Sequence, residues 1–231
     1  MTATFSALVT ALVRSEDLAD ETSGAILDAA AEEFRRDGVR GTSLDAIARR
    51  AGIGRVTIYR RFGDKNGLVR ALILRESRRI IEACEAASSR GKDVGDRFAL
   101  SFVAMLRATR THPFFRAWLK RETEDVLHHL TLGGETMMRL GIAYIAQHIR
   151  DAQRAGELPA YEPEPTAEII ARFAHSLMLT PRGGCPLDDE AQSYRFARAY
   201  IVPLIANGPA PVAAAPEPQT AAPPRRRRAA R

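Results

Sequence analysis

Apolar residues in this chain recur at helical spacing from one end to the other. Ile26, Ala30 and Phe34 stand at i, i+4 and i+8 and predict a first helix from about Ser23 to Asp37, with Gly38 as its stop. Leu44, Ile47, Ala48 and Ala51 follow at i, i+3, i+4 and i+7, giving a second helix one apolar face. A short third, about Arg55 to Phe62, turns Ile58 and Phe62 inward. A fourth, N-capped by Asp64, carries Leu68, Leu72 and Ile73 and extends toward Ala87. The polar stretch SSRGKDVG, residues 88–95, breaks the pattern. Further helical stretches are predicted at about 94–110, 113–130, 134–155, 164–179 and 188–206, with TPRGGCPLDD (180–189) as a loop before the last. Met137, Leu140, Tyr144 and His148 form one stripe. No alternating run or Asn-Gly hairpin signal occurs, so the expected fold is all-α. Phe5, Leu8, Val9 and Leu12 also have helical spacing, and with no Lys or Arg before them they read as a short extra amphipathic helix instead of a secretory signal.

The segment TSLDAIARRAGIGRVTIYRRFGDKNGL, Thr42 to Leu68, is the most specific. Thr42 and Asp45 have capping-box spacing at the start of the second helix. Gly52 supplies the backbone freedom a sharp turn needs. A short basic helix after such a turn makes a helix-turn-helix, a shape that fits the DNA major groove. In that motif the start of the second helix faces base edges and its flanks face phosphates. Arg55 suits bidentate contact with guanine, Val56 suits a thymine methyl, and Thr42 and Ser43 lie where helix-terminal amides attract a phosphate.

From about Ala25 to Ile73, the run ILDAAAEEFRRDG, GTSLDAIARRAGI, TIYRRF and DKNGL resembles the DNA-binding domain of TetR-family transcriptional regulators. The resemblance implies a homodimer with a variable ligand-binding domain behind a three-helix reading head. It also implies DNA contacts from Thr57, Tyr59, Arg60 and Lys65. Arg61, one residue beyond Arg60, points elsewhere. Beyond Ile73 the likeness is one of length and helical pattern.

Charge sharpens this picture. Residues 40–70 hold eight Lys or Arg against Asp45 and Asp64, and residues 209–231 hold five Arg against one Glu, while the rest of the chain is net acidic. Positive charge thus gathers at the helix-turn-helix and the tail, as phosphate binding requires. From Gly208 the sequence is Pro, Ala and Arg without periodicity and reads as a disordered tail. The run Arg225–Arg228 can add non-specific DNA affinity or simply be solvated. No run approaches the ~18 apolar residues of a membrane span. Cys84 and Cys185, far apart, fit free thiols in a reducing cytoplasm.

Chemistry of other kinds is sparse. No Walker loop, Rossmann fingerprint, G-x-S-x-G or Cys-x-x-Cys occurs, so no catalytic residue or cofactor is assigned. Glu124, His128 and His129 lie one turn apart, but a solvated helix face accounts for them better than a metal site. Phe102, Met105, Phe114, Trp118, Met137, Tyr144 and Phe173 are candidates to line an apolar ligand pocket, ordinary core packing being the alternative for each. Phe173, Leu177, Tyr194, Ile201 and Ile205, on the last two helices, are candidates for a dimer interface built as a four-helix bundle. The expected organisation is an N-terminal extension (1–20), a helix-turn-helix DNA-binding domain (21–70), a helical ligand-binding and dimerisation domain reached through a long helix (71–207), and a tail (208–231). The expected function is a cytoplasmic, homodimeric bacterial regulator, most simply a repressor. It would bind a palindromic double-stranded DNA operator and leave it when a small hydrophobic ligand binds. The alternative from another class is a helical small-molecule-binding protein or enzyme with a vestigial head.

Overall fold

The computed structural model describes residues 20–122, 128–131, 133–180, 183, 187 and 189–209. The expected N-terminal helix, the tail, Glu124 and Cys185 lie outside these residues. Among the described residues the regular structure is helical: α1 (Glu21–Gly41), α2 (Leu44–Ala51), α3 (Arg55–Phe62), α4 (Lys65–Ser88), α5 (Val94–Thr111), α6 (Pro113–Arg121), α7 (Glu135–Arg154), α8 (Pro163–Leu179), α9 (Glu190–Phe196), a π-helical turn (Ala197–Ile201) and α10 (Val202–Asn207). No helix among them is long and apolar enough to cross a membrane.

The first three helices and the start of α4 close around Ile26, Phe34, Ile47, Ile58, Leu68 and Leu72, all essentially inaccessible to solvent. Each such side chain contributes roughly 1.5–3 kcal/mol by leaving water. Phe114, Phe115 and Trp118 of α6 belong to the same cluster, so this core runs without interruption from the helix-turn-helix into the C-terminal part of the chain. Phe114 and Trp118 were expected to line a pocket. They instead fill the joint between the two parts, where an aromatic side chain buries the most apolar area.

Two ends differ from the sequence expectation. The first helix does not stop at Gly38; it kinks there, at φ 79° and ψ 167°, and resumes to Gly41. The amides exposed by the kink, those of Val39 and Arg40, both donate to the Glu122 carboxylate at 2.7 Å. On the carbonyl side Lys65 Nζ donates to Val39, Arg40 and Thr42 oxygens at 2.9, 3.3 and 3.2 Å. Segment 38–42 is therefore held by an anion on its N–H side and a cation on its C=O side. The second correction concerns the cap of α2. Ser43 is the N-cap, its hydroxyl accepting from Ala46 N at 3.1 Å. Thr42 is buried, and its hydroxyl donates back to the carbonyls of Gly38 (2.6 Å) and Glu33 (3.2 Å).

Behind the head, α4 packs on α5, α5 on α8, α8 on α7 and α7 on α4, a square of helices with a diagonal gap. Glu76 of α4 anchors the upper end of this square. It is almost fully buried, accepts from Arg75 at 2.8 Å and from Arg79, and pairs with His112 Nε2 at 3.0 Å at the α5–α6 turn. Arg75 also donates to Asp28 of α1 at 2.7 Å. Burial alone would raise the Glu76 carboxyl. The hydrogen bonds from His112 and Arg75 and the charges of Arg75 and Arg79 prevail and hold it down at about 2.

The last helix is interrupted by the π turn. Pro203 lacks an N–H and its ring crowds the carbonyl four residues earlier, and the wider turn relieves both conflicts. The consequence is a choice of face: Ala197, Ile201 and Ile205 point into the core, while Tyr200 (64% exposed) and Leu204 (43%) face outward.

Gly38→Ala should be destabilising by at least ~1 kcal/mol, because a positive φ strains any side chain. The added Cβ would also stand 2.7 Å from Glu122 Oε1. Urea unfolding of the two proteins measures this. Lys65→Met should likewise lower stability, by ~1–3 kcal/mol, since three carbonyls, two of them partly buried, lose a charged donor. Glu76 has its carboxyl pKa depressed from an ordinary 4.5 to about 2, so it contributes stability that is present above pH 4.5 and lost as the pH falls toward 2. Glu76→Gln should therefore lower the melting temperature at neutral pH and flatten the acid limb of the stability profile in that window.

Candidate nucleic-acid interface

The turn between α2 and α3 is short because Gly52 reverses the chain. It adopts the left-handed conformation (φ 67°, ψ 29°), and its N–H closes α2 on the carbonyls of Ala48 and Arg49. Ile53 N then donates to Ala48 O at 3.0 Å, which tucks the turn against α2. Helix α3 starts from Gly54. A glycine offers no side chain to cap the first-turn amides of α3, whereas α1, α2 and α4 are capped by Asp20, Ser43 and Asp64. The positive end of the α3 dipole is thus left open toward solvent.

The inner face of α3 is fixed by Ile58 and Phe62. Its outer face carries Arg55, Val56, Tyr59 and Arg60, with Val56 79% and Tyr59 42% exposed. Thr57 is half-buried at the edge. Arg55 donates to Asp45 of α2 at 2.9 Å and to the Tyr59 hydroxyl at 2.8 Å, and its guanidinium lies 5.2 Å from the Tyr59 ring centroid. Arg55 is therefore aimed by two neighbours, and all three groups remain accessible. A guanidinium, a phenol, a second arginine and an exposed methyl surface on one short helix are the donors and apolar contacts that base edges and phosphates take.

Other cations of this region are committed to the fold. Arg50 pairs with the buried Glu33 at 2.5 Å, and Arg61 bonds Asp20 and Ser23 at the start of α1. Arg61 thus points away from the α3 outer face. Lys65, expected at a phosphate, spends its three donors on carbonyls of the α1–α2 junction. Thr42, also expected at a phosphate, is enclosed. Ser43 is exposed at the N-terminus of α2. Nothing in the local sequence signals the Lys65 and Glu122 contacts, because their partners lie about 25 and 83 residues away.

Inside the helical square lies a cavity of about 870 Å³. Phe102, Met105, Met137 and Tyr144 line it, as expected. Phe173 does not; it stacks on Phe102 and Phe196, at centroid distances of 6.4 and 5.9 Å, and glues α5, α8 and α9 together. Ile201 and Ile205, expected at an interface between subunits, are 4% and 1% exposed and line the same cavity from within. Tyr194 is half-buried and donates to Asp96, and Phe173 and Leu177 are half-buried as well. The apolar residues that remain outside on the last helices are Ile169, Tyr200 and Leu204. Among the described residues no group of three His, Cys, Asp or Glu is placed to hold a metal ion.

Residues 26–72 match the family described as bacterial regulatory proteins, tetR family. The chain is 25% identical over 180 residues to the uncharacterized helix-turn-helix transcriptional regulator Rv1255c of Mycobacterium tuberculosis, covering 78% of this chain and 83% of that one. It is 25% identical over 194 residues to the transcriptional regulator UidR of Escherichia coli K12, covering 78% and 89%. Its fold is shared with the TetR family repressor AlkX from Dietzia sp. (TM-score 0.64, 18% identity, 82% of this chain and 97% of that one). It is shared too with the repressor QsdR of R. erythropolis (TM-score 0.58, 21% identity, 81% and 94%). The matched segment runs from α1 into the first turns of α4, the part that presents the outer face of α3, and over it the chain carries a helix-turn-helix domain similar to that of the tetR family of transcriptional regulators.

Proposed function

We propose that the chain is a homodimeric repressor that reads a palindromic operator with α3 and leaves it when a small molecule enters the cavity behind the head. The observation that carries the reading is the outer face of α3, where Arg55, Val56, Tyr59 and Arg60 stand exposed on a helix whose other face is locked in the core. In this reading residues 21–70 form the reading head and 71–207 the ligand-binding and dimerisation part, with α4 shared between them. Arg55 takes guanine, Val56 presses on a thymine methyl, and Thr57, Tyr59, Arg60 and the Ser43 end of α2 hold phosphates. Lys65 acts through the shape of the α1–α2 junction, holding Ser43 in place. The chain carries out no catalysis and works in the cytoplasm.

Exposed apolar residues of α8, the π turn and α10 support the dimer. Ile169, Tyr200 and Leu204 are 59%, 64% and 43% exposed, an apolar cost that a two-fold partner would remove. Each head alone reads one half-site, and two of them spaced by a helical turn of DNA match a palindrome. Release by ligand requires that the ligand bind one head spacing better than the other. The cavity shares α4 with the head, and α4 begins at Lys65, so a change in cavity volume reaches the junction through one helix.

Arg55→Ala should cost ~1–3 kcal/mol at one base pair per half-site and little on scrambled DNA. Fluorescence anisotropy titrations on both duplexes at several salt concentrations measure this; equal losses on the two would remove Arg55 from base reading. The double change Tyr200→Glu and Leu204→Glu should give monomers in light scattering and abolish tight operator binding. A protein that stays dimeric and still binds would place the interface elsewhere.

A further inference from the structure

The cavity is mostly apolar, but its wall holds one unsatisfied cation. Arg78 of α4 lines it half-buried, its Nε enclosed with no hydrogen-bond partner, and among the described residues no carboxylate forms an ion pair with it. Leaving an enclosed N–H of a charged group without an acceptor is costly. Burial also lowers its affinity for its proton, an effect Glu82 one turn along opposes. The carboxylates of the same wall are otherwise engaged. Glu85 pairs with His148 at 2.8 Å, Glu157 with Arg97, and Asp151 accepts from Gln147 at 2.9 Å and from Arg154, while Glu82 is exposed. A second unsatisfied group lines the cavity from α8: His175 bonds the Leu130 carbonyl through one side of its ring, and its Nε2 is enclosed without a partner. Much of the remaining wall comes from residues such as Ile81, Phe102, Met105, Met137 and Met138. Methionines adapt their shape to flexible apolar chains.

We infer that the cavity takes an organic acid with a flexible apolar chain, its carboxylate received by the Arg78 guanidinium and its chain lying against the methionine- and phenylalanine-lined wall. A carboxylate supplies the anion that Arg78 lacks, through charge-assisted hydrogen bonds from its guanidinium. An alcohol would give Arg78 a weaker, uncharged acceptor, and an alkylammonium would repel it. This inference rests on the reading of the cavity as an effector site.

Isothermal titration calorimetry on the full chain, without DNA, separates the possibilities with three ligands of one chain length: decanoate, decanol and decyltrimethylammonium. Octanoate to tetradecanoate are run alongside so that length is not limiting. Decanoate or a homologue should bind at least about tenfold more tightly than the other two head groups, the difference a charge-assisted contact makes. Arg78→Met should bring the acid down to the level of the alcohol and leave the alcohol within about twofold, and Arg78→Lys should restore part of the preference. Thermal melts establish that each variant is folded, and Arg78→Lys serves alone if Arg78→Met is not. Equal affinity for acid and alcohol, tighter binding of the ammonium, no binding of any acid, or an acid affinity unmoved in Arg78→Met would each overturn the inference. Operator release is scored separately. An acid that binds through Arg78 yet leaves the operator complex intact would uphold the ligand class and refute its role as effector.

Discussion

The position of the reading head depends on one short stretch of backbone. Gly38 turns the end of α1 out of its helical path, which frees the amides of Val39 and Arg40 and the carbonyls of Val39, Arg40 and Thr42. Free backbone groups in a half-buried place must find partners. They find a carboxylate from the end of α6 and an ammonium from the start of α4. Each hydrogen bond to a charged group is worth ~1.5–3 kcal/mol, more than a neutral one. Helix α2 starts immediately after this stretch, and α3 is tied to α2 through the Gly52 turn. Any shift of α6 or of the first turn of α4 is therefore felt at the helix that carries Arg55.

The body joins this stretch through α4 and the end of α6. Helix α4 contributes Leu68 and Leu72 to the head core, Glu76 to the buried ionic hub, and Ile81 and Cys84 to the cavity wall. Those three roles sit on one rigid element, in order. The hub ties α4 to α1 through Asp28 and to the α5–α6 turn through His112, so α6 cannot move independently of the other two. Packed aromatic residues at the joint, Phe114, Phe115 and Trp118, make the coupling steric as well as ionic. In the proposed function, a small molecule in the cavity among these helices alters the packing of α4 and, through it, the junction at Lys65.

Much of this arrangement was legible in the residues alone. Periodicity located α2–α5, α7 and α8 closely, because each buries one stripe and ends at a glycine, a cap or a proline. The Gly52 turn and the inward pair Ile58 and Phe62 were readable for the same reason, being local. What escaped notice was non-local. Capping-box spacing favoured Thr42, but its hydroxyl serves the end of the preceding helix, and Ser43 takes the cap. A lysine at a helix start reads as a phosphate contact until its three carbonyl partners are seen. An aromatic residue reads equally as pocket or joint, and Phe114 and Trp118 fell on the side of the joint. Helical spacing groups Ala197, Ile201 and Ile205 on one stripe, but it does not say whether that stripe meets its own body or a partner, and the fold turns it inward.

The central claim is that this chain recognises a specific, two-fold symmetric DNA sequence. Selection from a pool of random duplexes, using the purified full chain and repeated rounds of capture at near-physiological salt, tests it most directly. The account predicts convergence on an inverted repeat whose half-sites are centred about one helical turn apart, bound by a dimer. Convergence on an asymmetric single site, or no enrichment over the starting pool, would contradict it.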